Sequence, residues 1–383
     1  MRRLCALGLL LVMLLAGCAA PGTAQDPGEC TLTFITIGKG DSFLLTSPDG
    51  RHYLVDTGKA EDFRQIAHTL HCKGVEQLDG IFLSHGHKDH AGSLDLLLEA
   101  FPTGRVYYSG LDDQSYHDIL PEEICAAHDV PAEALQGGET MDLGGVTAQV
   151  WIPDQVDPEN ENNNSLVLRL KHGKITMLLT GDAEEGEEER MVQTGFAQKA
   201  DLLKLGHHGE DDASSTVFLD KVKPSIALIA GNQEENPESV NDTITQRLQE
   251  RNIQAYYSEG DPMDFTSDGK LLRMQRLEEP EWPAGPQLVF DSVDRAGQRV
   301  VIRNAGQTPA DLGGCLLYSV RGEEQFVFPR GTVLQAGASI AVVCQGMEED
   351  GALVWPEEKV WRKKRDDALL YDRTMILLAE DAA

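Results

Sequence analysis

The 383-residue sequence predicts a layered α/β domain followed by a small all-β sandwich of the immunoglobulin-like kind. Three apolar, β-rich runs in the first part each lead through a small residue into His or Asp, which is typical of strands ending at one sheet edge. A segment rich in Pro and Glu, residues 278–286, then breaks all periodicity and predicts a linker. Short strand-like runs separated by turns follow it. We therefore place the two domains at residues 30–277 and 287–383.

The N-terminus has the features of an export signal rather than of a folded element. Two arginines precede an apolar segment that is short for a membrane span. The segment ends in Leu15-Ala16-Gly17-Cys18, which resembles the cleavage box of bacterial lipoproteins. We expect removal of residues 1–17, lipidation of Cys18, a flexible tether over residues 18–29 and a mature protein anchored to the membrane outside the cytoplasm. The alternative is an ordinary secretory signal, in which case Cys18 has no role in lipid attachment.

Turn and helix signals organise the rest of the first domain. Ser47-Pro48-Asp49-Gly50 separates two strand-like runs and predicts a hairpin. Periodicity predicts helices over residues 62–70, 95–100 and 243–251. The acidic run 184–189 predicts the first turn of another helix, where the helix dipole favours negative charge. For this run we favour a solvated face over extra metal binding.

The most informative run is Ser84-His85-Gly86-His87-Lys88-Asp89-His90, which follows an apolar strand-like stretch. Neutral imidazole and carboxylate are the ligands that zinc and similar divalent metals prefer. An extended backbone points His85 and His87 to the same side. Asp89 and His90 follow as the chain turns, and they can face a second point. One loop can therefore serve two ions, which together activate water and stabilise developing negative charge. A His-rich surface loop that binds nothing is the alternative.

Two ions need ligands from elsewhere, since four residues cannot fill two coordination shells. A second apolar run ends in Gly181-Asp182, and an Asp after a buried strand can bridge two cations. A third run ends at Gly206, directly before His207-His208. Because loops at one edge of a layered α/β fold converge, these residues are expected in the same site.

These motifs resemble the metallo-β-lactamase-fold hydrolases, in the branch of the competence protein ComEC and its free-standing relatives. The matching segments occur in the family's order within residues 30–277, and they are 34–42, 55–58, 85–90, 162–168, 180–182 and 207–209. The resemblance implies an αββα sandwich with two divalent metal ions, zinc or alternatively manganese, between the sheet edges.

The resemblance implies metal-binding roles for seven side chains, namely those of His85, His87, Asp89, His90, Asp182, His207 and His208. The first two histidines would hold one ion, Asp89 and His90 the other, and Asp182 would bridge them. One or both of His207 and His208 would complete the site. Asp89, His207 and His208 are also the candidates for catalytic roles, with metal-bound hydroxide as the expected nucleophile.

Other matching residues are expected around the ligands. Asp56 resembles the buried Asp that steadies the ligand loop from behind. Asn164 and Ser165 stand in an Asn-rich segment where the wider fold carries a further ligand His, and they are expected to line the site. Lys39, which replaces the usual Gln of the early motif, could contact a phosphate.

Two further departures from the family pattern concern the substrate pocket rather than the ligands. Glu210 follows His-His-Gly where Ser is usual. The Gly-His-Pro segment that relatives carry after the last core strand is missing after Ala230, where the chain continues with Gly231-Asn232-Gln233.

The second domain contains strand-like runs over residues 288–292, 299–303, 312–319, 325–328, 339–343 and 368–371. It resembles a lamin-tail domain, a kind usually associated with binding, over 300–306, 310–314, 326–329 and 334–337. Residues 361–365 form a dense basic cluster and a candidate contact for an anionic polymer, although such a run is more usually solvated. Cys315 and Cys344 could form a disulfide, but burial as small apolar side chains is favoured.

The overall charge bears on the partner. The chain has 63 acidic and 33 basic residues, a formal net charge of −30. This argues against tight, non-specific duplex binding, although two dications would lie where a phosphate binds.

Our leading hypothesis is an extracytoplasmic, membrane-tethered two-metal hydrolase, a phosphodiesterase or nuclease, whose partner is an anionic phosphodiester in nucleic acid or wall polymer. One alternative is a cell-surface esterase that removes phosphorylcholine or other substituents from wall polymers such as teichoic acid. Another is a surface binding protein that retains the metal without activity. β-Lactam hydrolysis is disfavoured because the motifs belong to a different branch, and no protein partner is inferred.

Overall fold

The computed structural model describes residues 28–111, 119–231, 239–362 and 365–383. The predicted signal, the lipidation site Cys18, most of the tether and part of the segment after Gly231 lie outside the described residues, as do two lysines of the basic cluster. Within the described ranges, no helix combines the length and apolar character that crossing a bilayer requires.

The strands of the first domain are β1 Cys30–Phe34, β2 Phe43–Thr46, β3 His52–Val55, β4 Gly80–Phe82, β5 Val106–Ser109, β6 Ala132–Leu135, β7 Thr140–Asp142, β8 Thr147–Trp151, β9 Val167–His172, β10 Ile175–Leu179, β11 Leu202–Lys204, β12 Ile226–Ile229, β13 Gln254–Tyr257, β14 Met263–Ser267 and β15 Leu272–Arg276. Its α-helices are α1 Phe63–Cys72, α2 Lys88–Ala91, α3 Leu94–Ala100, α4 Pro121–Ala127, α5 Glu185–Thr194, α6 Thr216–Val222 and α7 Asp242–Glu250. Short 3₁₀ helices cover Ala60–Asp62, Glu161–Asn164 and His207–Gly209.

These strands form two sheets, with the orders β15-β14-β1-β2-β3-β4-β5-β6 and β13-β12-β11-β10-β9-β8-β7. The sheets face each other across one apolar core, in which Phe34, Phe43 and Phe82 of the first sheet share a cluster with Leu168 and Met177 of the second. Burial of this aromatic and aliphatic surface is the main driving force for stacking the sheets.

Helices cover the outer face of each sheet. On α1, Phe63, Ile66 and Leu70 recur at helical spacing and are buried with residues of α3 against the first sheet. Residues of α5, α6 and α7, such as Phe218 and Ile244, are buried against the second sheet. The order of layers is therefore helix, sheet, sheet, helix, which confirms the predicted αββα sandwich.

The parallel strands position the candidate site. In the first sheet β3, β4 and β5 run parallel, and in the second sheet β10, β11 and β12 do. Asp56 follows β3, His85 follows β4 after two residues, Asp182 follows β10, and His208 follows β11. The carboxyl ends of these strands meet at one edge, where ligands bind in open α/β sheets.

Several local predictions can be checked against these elements. The hairpin at Ser47–Gly50 is confirmed by the pairing of β2 with β3, and the three predicted helices coincide with α1, α3 and α7 within two residues. The expectation of a solvated face for the acidic run is wrong at Glu187 and Glu188, which are buried in α5. Their carboxylates accept hydrogen bonds from neighbouring elements, and this compensates for the loss of water.

The second domain is all β. Its strands are β16 Leu288–Asp294, β17 Arg299–Asn304, β18 Ala310–Asp311, β19 Leu316–Ser319, β20 Glu324–Val327, β21 Val333–Leu334, β22 Ser339–Cys344, β23 Leu353–Trp355, β24 Ala368–Tyr371 and β25 Leu377–Asp381. The sheets β16-β17-β22-β23 and β20-β19-β24-β25 enclose a core that includes Phe328, Trp355 and Trp361, and β18 pairs with β21. This confirms the predicted β-sandwich. Cys315 and Cys344 are free, buried thiols, so the suggested disulfide is absent and the burial is confirmed.

The β-sandwich packs directly on the outer face of the first domain. Leu316, Val327 and Tyr371 belong to the same buried cluster as residues of α1 and α3. The Arg64 guanidinium donates to the Tyr371 hydroxyl over 2.7 Å, in a contact that also joins the two domains.

Candidate metal centre

Three predicted ligands converge on one carboxylate oxygen of a fourth, Oδ2 of Asp182. This atom lies 3.0 Å from His90 Nε2, 3.1 Å from His208 Nε2 and 4.0 Å from His85 Nε2. Asp89 joins the group through Oδ2, which lies 3.3 Å from His208 Nε2. Loops from both sheets thus bring imidazoles and carboxylates to one place, with Asp182 in the middle.

A second point lies between His85 and His87. Nε2 of His85 is 2.9 Å from Nδ1 of His87, so two ring nitrogens face each other. Nε2 of His87 is 3.3 Å from Glu161 Oε2, and a hydrogen bond donated there leaves Nδ1 as the electron-pair donor. The donors therefore surround two neighbouring points, one at His85 and His87 and one at Asp89, His90 and His208.

Hydrogen bonds on the far side of each ring fix its direction. Nδ1 of His90 lies 3.0 Å from Asp56 Oδ2, and Nδ1 of His208 lies 2.9 Å from the Ala230 carbonyl oxygen. Nδ1 of His85 lies 3.0 Å from the Ser84 hydroxyl. When Nδ1 donates to these acceptors, each Nε2 presents its lone pair to the centre, as in protein metal sites.

Asp56 holds the loop that carries the histidines. Its carboxylate accepts hydrogen bonds from the Ser84 amide at 2.7 Å and the Ser84 hydroxyl at 2.8 Å, in addition to its contact with His90. The next residue, Thr57, donates its amide to the His90 carbonyl at 2.5 Å. The structure thus places Asp56 behind the ligands rather than among them.

Two buried charged residues of the site, Asp41 and Lys204, were not among the predicted site residues. The Lys204 ammonium is fully buried and lies 2.6 Å from Asp41 Oδ2, 3.2 Å from Asp182 Oδ1 and 2.6 Å from the Gly181 carbonyl oxygen. Asp41, His90, Asp182 and His208 form a group compact enough to hold a metal. However, Asp41 contacts the Nδ1 side of His208, at 3.5 Å, and therefore orients the ring from outside.

Gly181 allows Asp182 to reach the centre. Its φ of 53° lies in the left-handed region, and a Cβ there would come within 2.7 Å of the Ser84 Cβ. Only glycine accommodates both conditions. The Asp182 amide then donates to the Ser165 hydroxyl at 3.1 Å, which anchors the turn.

The titration behaviour of these groups reflects crowded negative charge. Burial lowers the pKa of His208, but Asp182, Asp41 and Asp89 outweigh burial and raise that pKa to about 10. Burial also lowers the pKa of His90, but the carboxylates of Asp182 and Asp41 outweigh burial and raise that pKa well above its usual value. The protein environment therefore attracts positive charge to this point.

His85 behaves differently from these two histidines. Burial and the neighbouring His90 hold the pKa of His85 well below its usual value, so its ring is neutral. A neutral imidazole is the form that binds metal.

The other predicted residues lie around the centre in different ways. Nδ1 of His207 lies 3.0 Å from Asp212 and 3.6 Å from Glu184, so this ring contacts carboxylates other than Asp182. Asn164 exchanges hydrogen bonds with the backbone of Asp157, so it shapes its own loop. Lys39 forms an ion pair with Glu210 at 3.2 Å.

The donor set fits two divalent cations. It combines three imidazoles and a fourth ring nitrogen from His87 with the carboxylates of Asp89 and Asp182, which suits zinc or manganese. When the imidazoles are in the neutral form that binds metal, the ionised side chains of Asp41, Asp56, Asp89 and Asp182 exceed the single ammonium of Lys204 by three negative charges. His85 and His87 would hold one ion. Asp89, His90 and His208 would hold the other, and Asp182 would contribute to both.

Comparison with known proteins agrees with this architecture. The family model of the metallo-beta-lactamase superfamily matches residues 35–231. ComE operon protein 3 of Bacillus subtilis is 29% identical over 247 residues, which cover 59% of this chain and 31% of that protein. Competence protein ComA of Neisseria gonorrhoeae is 31% identical over 220 residues, covering 57% of this chain and 29% of that protein. The predicted ComEC-like resemblance is thereby confirmed.

This chain spans less than a third of the length of these two relatives. A metal-dependent hydrolase of Chloroflexus aurantiacus is 26% identical over 203 residues, covering 50% of this chain and 78% of that protein. The residues that the family model matches, 35–231, lie in the sandwich that carries the candidate centre.

Proposed function

Since the chain belongs to the metallo-beta-lactamase superfamily of metal-dependent hydrolases, we propose that it hydrolyses phosphodiester bonds at a centre of two divalent ions. The observation that carries the proposal is the convergence of His85, His90 and His208 on the Asp182 carboxylate, with Asp89 in contact with His208. Two neighbouring metal ions that share one carboxylate ligand suit a reaction in which the attacking oxygen and the leaving oxygen both carry negative charge.

The protein's own groups prepare the site for this reaction. When bound, the two ions would supply Lewis acidity and an activated water. Asp56, the Ser84 hydroxyl and the Ala230 carbonyl hold the imidazoles in their tautomers and directions. Lys204 contacts Oδ1 of Asp182, whereas His90 and His208 contact Oδ2. Such preorganisation means that the ligands need little rearrangement during turnover.

Hydrolysis of a chromogenic diester tests the proposal. Purified protein loaded with Zn²⁺ or Mn²⁺ should hydrolyse bis(p-nitrophenyl) phosphate. His87→Ala should lower kcat/KM by about 10²-fold or more, because it removes a ligand of one ion.

His52→Ala is the matched control, since His52 lies on β3 and contacts Thr46 rather than the centre. It should retain activity near that of the unmodified protein. Two bound ions without turnover of any diester would instead support the metal-retaining binding protein.

The acidic surroundings of the centre favour a second candidate substrate. Glu161 contacts His87, while Glu184, Glu210 and Asp212 surround His207, and the ammonium of Lys39 is engaged by Glu210. Negative charge at the mouth of a site repels a polyanion and attracts a cation. A diester with a cationic substituent, such as phosphorylcholine on a wall polymer, fits this charge better than nucleic acid does.

A comparison of kcat/KM for two substrates distinguishes the nuclease from the wall-polymer esterase. A nuclease should cleave single- or double-stranded DNA and show a higher kcat/KM for it than for p-nitrophenyl phosphorylcholine. Preference for the choline ester, reduced when Glu161→Gln removes one carboxylate, would favour the wall-polymer esterase.

We further propose that the enzyme acts outside the cytoplasm while attached to the membrane through a lipid on Cys18, with nucleic acid or wall polymer as its partner. The basis is the N-terminal signal in the sequence. Mass spectrometry of the unmodified protein should find a lipid on Cys18 that Cys18→Ala lacks, and absence of the lipid from the unmodified protein would contradict the tether.

A further inference from the structure

We propose that Glu184, His207 and Asp212 form a separate site for a third divalent cation, which ties together the two loops that carry Asp182 and His208. The donor atoms of the three side chains lie within 4.8 Å of one another. They share no residue with the group of Asp41, His90, Asp182 and His208 in the centre described above. The proposal concerns cation binding and does not depend on hydrolysis.

Carboxylate oxygens surround one ring nitrogen of His207. Its Nδ1 lies 3.0 Å from both oxygens of Asp212, 3.6 Å from Glu184 Oε1 and 3.9 Å from Glu210 Oε2. The carboxylates of Glu184 and Asp212 and the imidazole of His207 form a mixed oxygen and nitrogen set, with Glu210 beside it. Oxygen ligands suit Mn²⁺ and imidazole suits Zn²⁺, so the site fits a dication of the first transition series.

The charge at this place exceeds what one imidazole can compensate. Glu184, Glu210 and Asp212 carry three negative charges, and a single imidazolium would supply only one positive charge. Lys39 contacts the other oxygen of Glu210. A dication at Nδ1 and the facing oxygens would remove the remaining repulsion between Glu184 and Asp212.

An independent observation comes from Asn162, which is only 8% exposed. Its Nδ2 donates to Glu184 Oε1 at 2.8 Å and lies 3.4 Å from His207 Nε2. Its Oδ1 is buried and has no hydrogen-bond partner among the described residues. Since buried acceptors are nearly always satisfied, the amide beside two of the ligands requires a donor, which a water on the cation would supply.

The position of the site explains what it would do. Glu184 lies two residues after Asp182, and His207 directly precedes His208. The same two loops are joined by a backbone hydrogen bond of 3.0 Å from the Glu185 amide to the Asp212 carbonyl oxygen. A cation here would cross-link the loop after β10 to the loop after β11, and so fix the distance between two ligands of the hydrolytic centre.

Counting bound metal tests the inference. Full-length protein is dialysed against Mn²⁺, and the number of bound Mn²⁺ ions per chain is measured by elemental mass spectrometry. Asp212→Asn should bind one ion fewer than the unmodified protein. Asp211→Asn is the matched control, since it removes the same charge from the neighbouring, exposed position and should not change the count.

Glu184→Gln should reproduce the loss of one ion, which guards against a local effect of the Asp212 change. Equal counts for the unmodified protein, Asp212→Asn and Asp211→Asn would overturn the third site. His87→Ala should still lose its own ion. If the unmodified protein binds two ions and Asp212→Asn binds one, the cation site stands while the two-ion hydrolytic centre fails.

Discussion

Lys204 lies at the base of the centre, where its ammonium contacts the carboxylates of Asp41 and Asp182. Burial opposes its charge, but these two carboxylates outweigh burial and raise the Lys204 pKa above its usual value. A buried ammonium between two buried carboxylates compensates their charges, so removal of any one of the three leaves an uncompensated charge in the interior.

Lys204→Met should therefore destabilise the protein strongly in the absence of divalent ions. The change leaves Asp41 and Asp182 buried without their cation, and breaking such a group costs about 3–5 kcal/mol. Urea unfolding of apo protein in a chelator measures the loss. Arg299→Met, which breaks a pair with Glu349 whose side chains are 39% and 41% exposed, should cost about 1 kcal/mol or less, and equal losses for both variants would contradict this role of Lys204.

The ligands could be predicted from the sequence, but the groups that hold them could not. His85 to His90 and Asp182 stand after apolar strands in spacings that few other roles explain. Asp41 is one carboxylate among many, and Lys204 interrupts an apolar run without any local sign of its partners. Their importance depends on contacts between residues more than a hundred positions apart. A charged residue inside an otherwise apolar strand was the signal that could have identified Lys204.

At the level of elements, α5 shows how an acidic run can serve structure. Trp151 donates its indole N–H to Glu187 at 3.0 Å. Glu188 accepts the amides of Ser214 and Ser215 at 2.6 and 2.8 Å, directly before α6. The carboxylate satisfies backbone donors that would otherwise be buried without partners, and it joins α5 to the start of α6.

Glu188→Ala should lower the free energy of unfolding by about 2 kcal/mol, because two buried amides lose their acceptor. Urea unfolding of the variant gives this value. Glu189→Ala removes the same kind of charge from an exposed position of the same helix and should change stability by less than about 0.5 kcal/mol. A similar cost for both substitutions would mean that net charge, and not the hydrogen bonds, determines the effect.

Periodicity predicted α1, α3 and α7, but it did not predict the burial of charged residues in α5. The spacing of Phe63, Ile66 and Leu70 identifies the buried face of α1 without any tertiary information. The run from Glu184 to Glu189 has no apolar stripe at its start, so a solvated face was the natural interpretation. Its burial results from the indole of Trp151 and the amides before α6, which a local pattern does not contain.

The β-sandwich and the first domain form one packed body. Leu316, Val327 and Tyr371 share a buried cluster with α1 and α3, and His68 Nδ1 lies 2.8 Å from the Thr374 carbonyl oxygen. Each domain could be predicted from its own pattern of strand, helix and turn signals. It did not predict this contact, because alternation within a strand shows that one face is apolar without showing which surface covers it.

The contact between the domains should make stability depend on pH. His71 of α1 stacks near Phe101, with ring centroids 5.0 Å apart, and lines a cavity of about 240 Å³ together with Arg373 of the β-sandwich. Burial, followed by the charge of Arg373, lowers the pKa of His71 from 6.5 to about 4. The folded protein therefore favours the neutral ring, whereas the unfolded chain accepts a proton near pH 6.5.

This part of the stability is complete above pH 6.5 and is lost as the pH falls from 6.5 towards 4. The pKa difference corresponds to about 3 kcal/mol at most. His71→Leu cannot take up the proton, so its free energy of unfolding should fall less than that of the unmodified protein when urea unfolding is compared at about pH 7 and about pH 4.5. Arg373→Gln should also reduce the fall, because removal of that charge raises the His71 pKa. Parallel losses in all three proteins would show that acid destabilisation arises elsewhere, for example at the carboxylates of the metal centre.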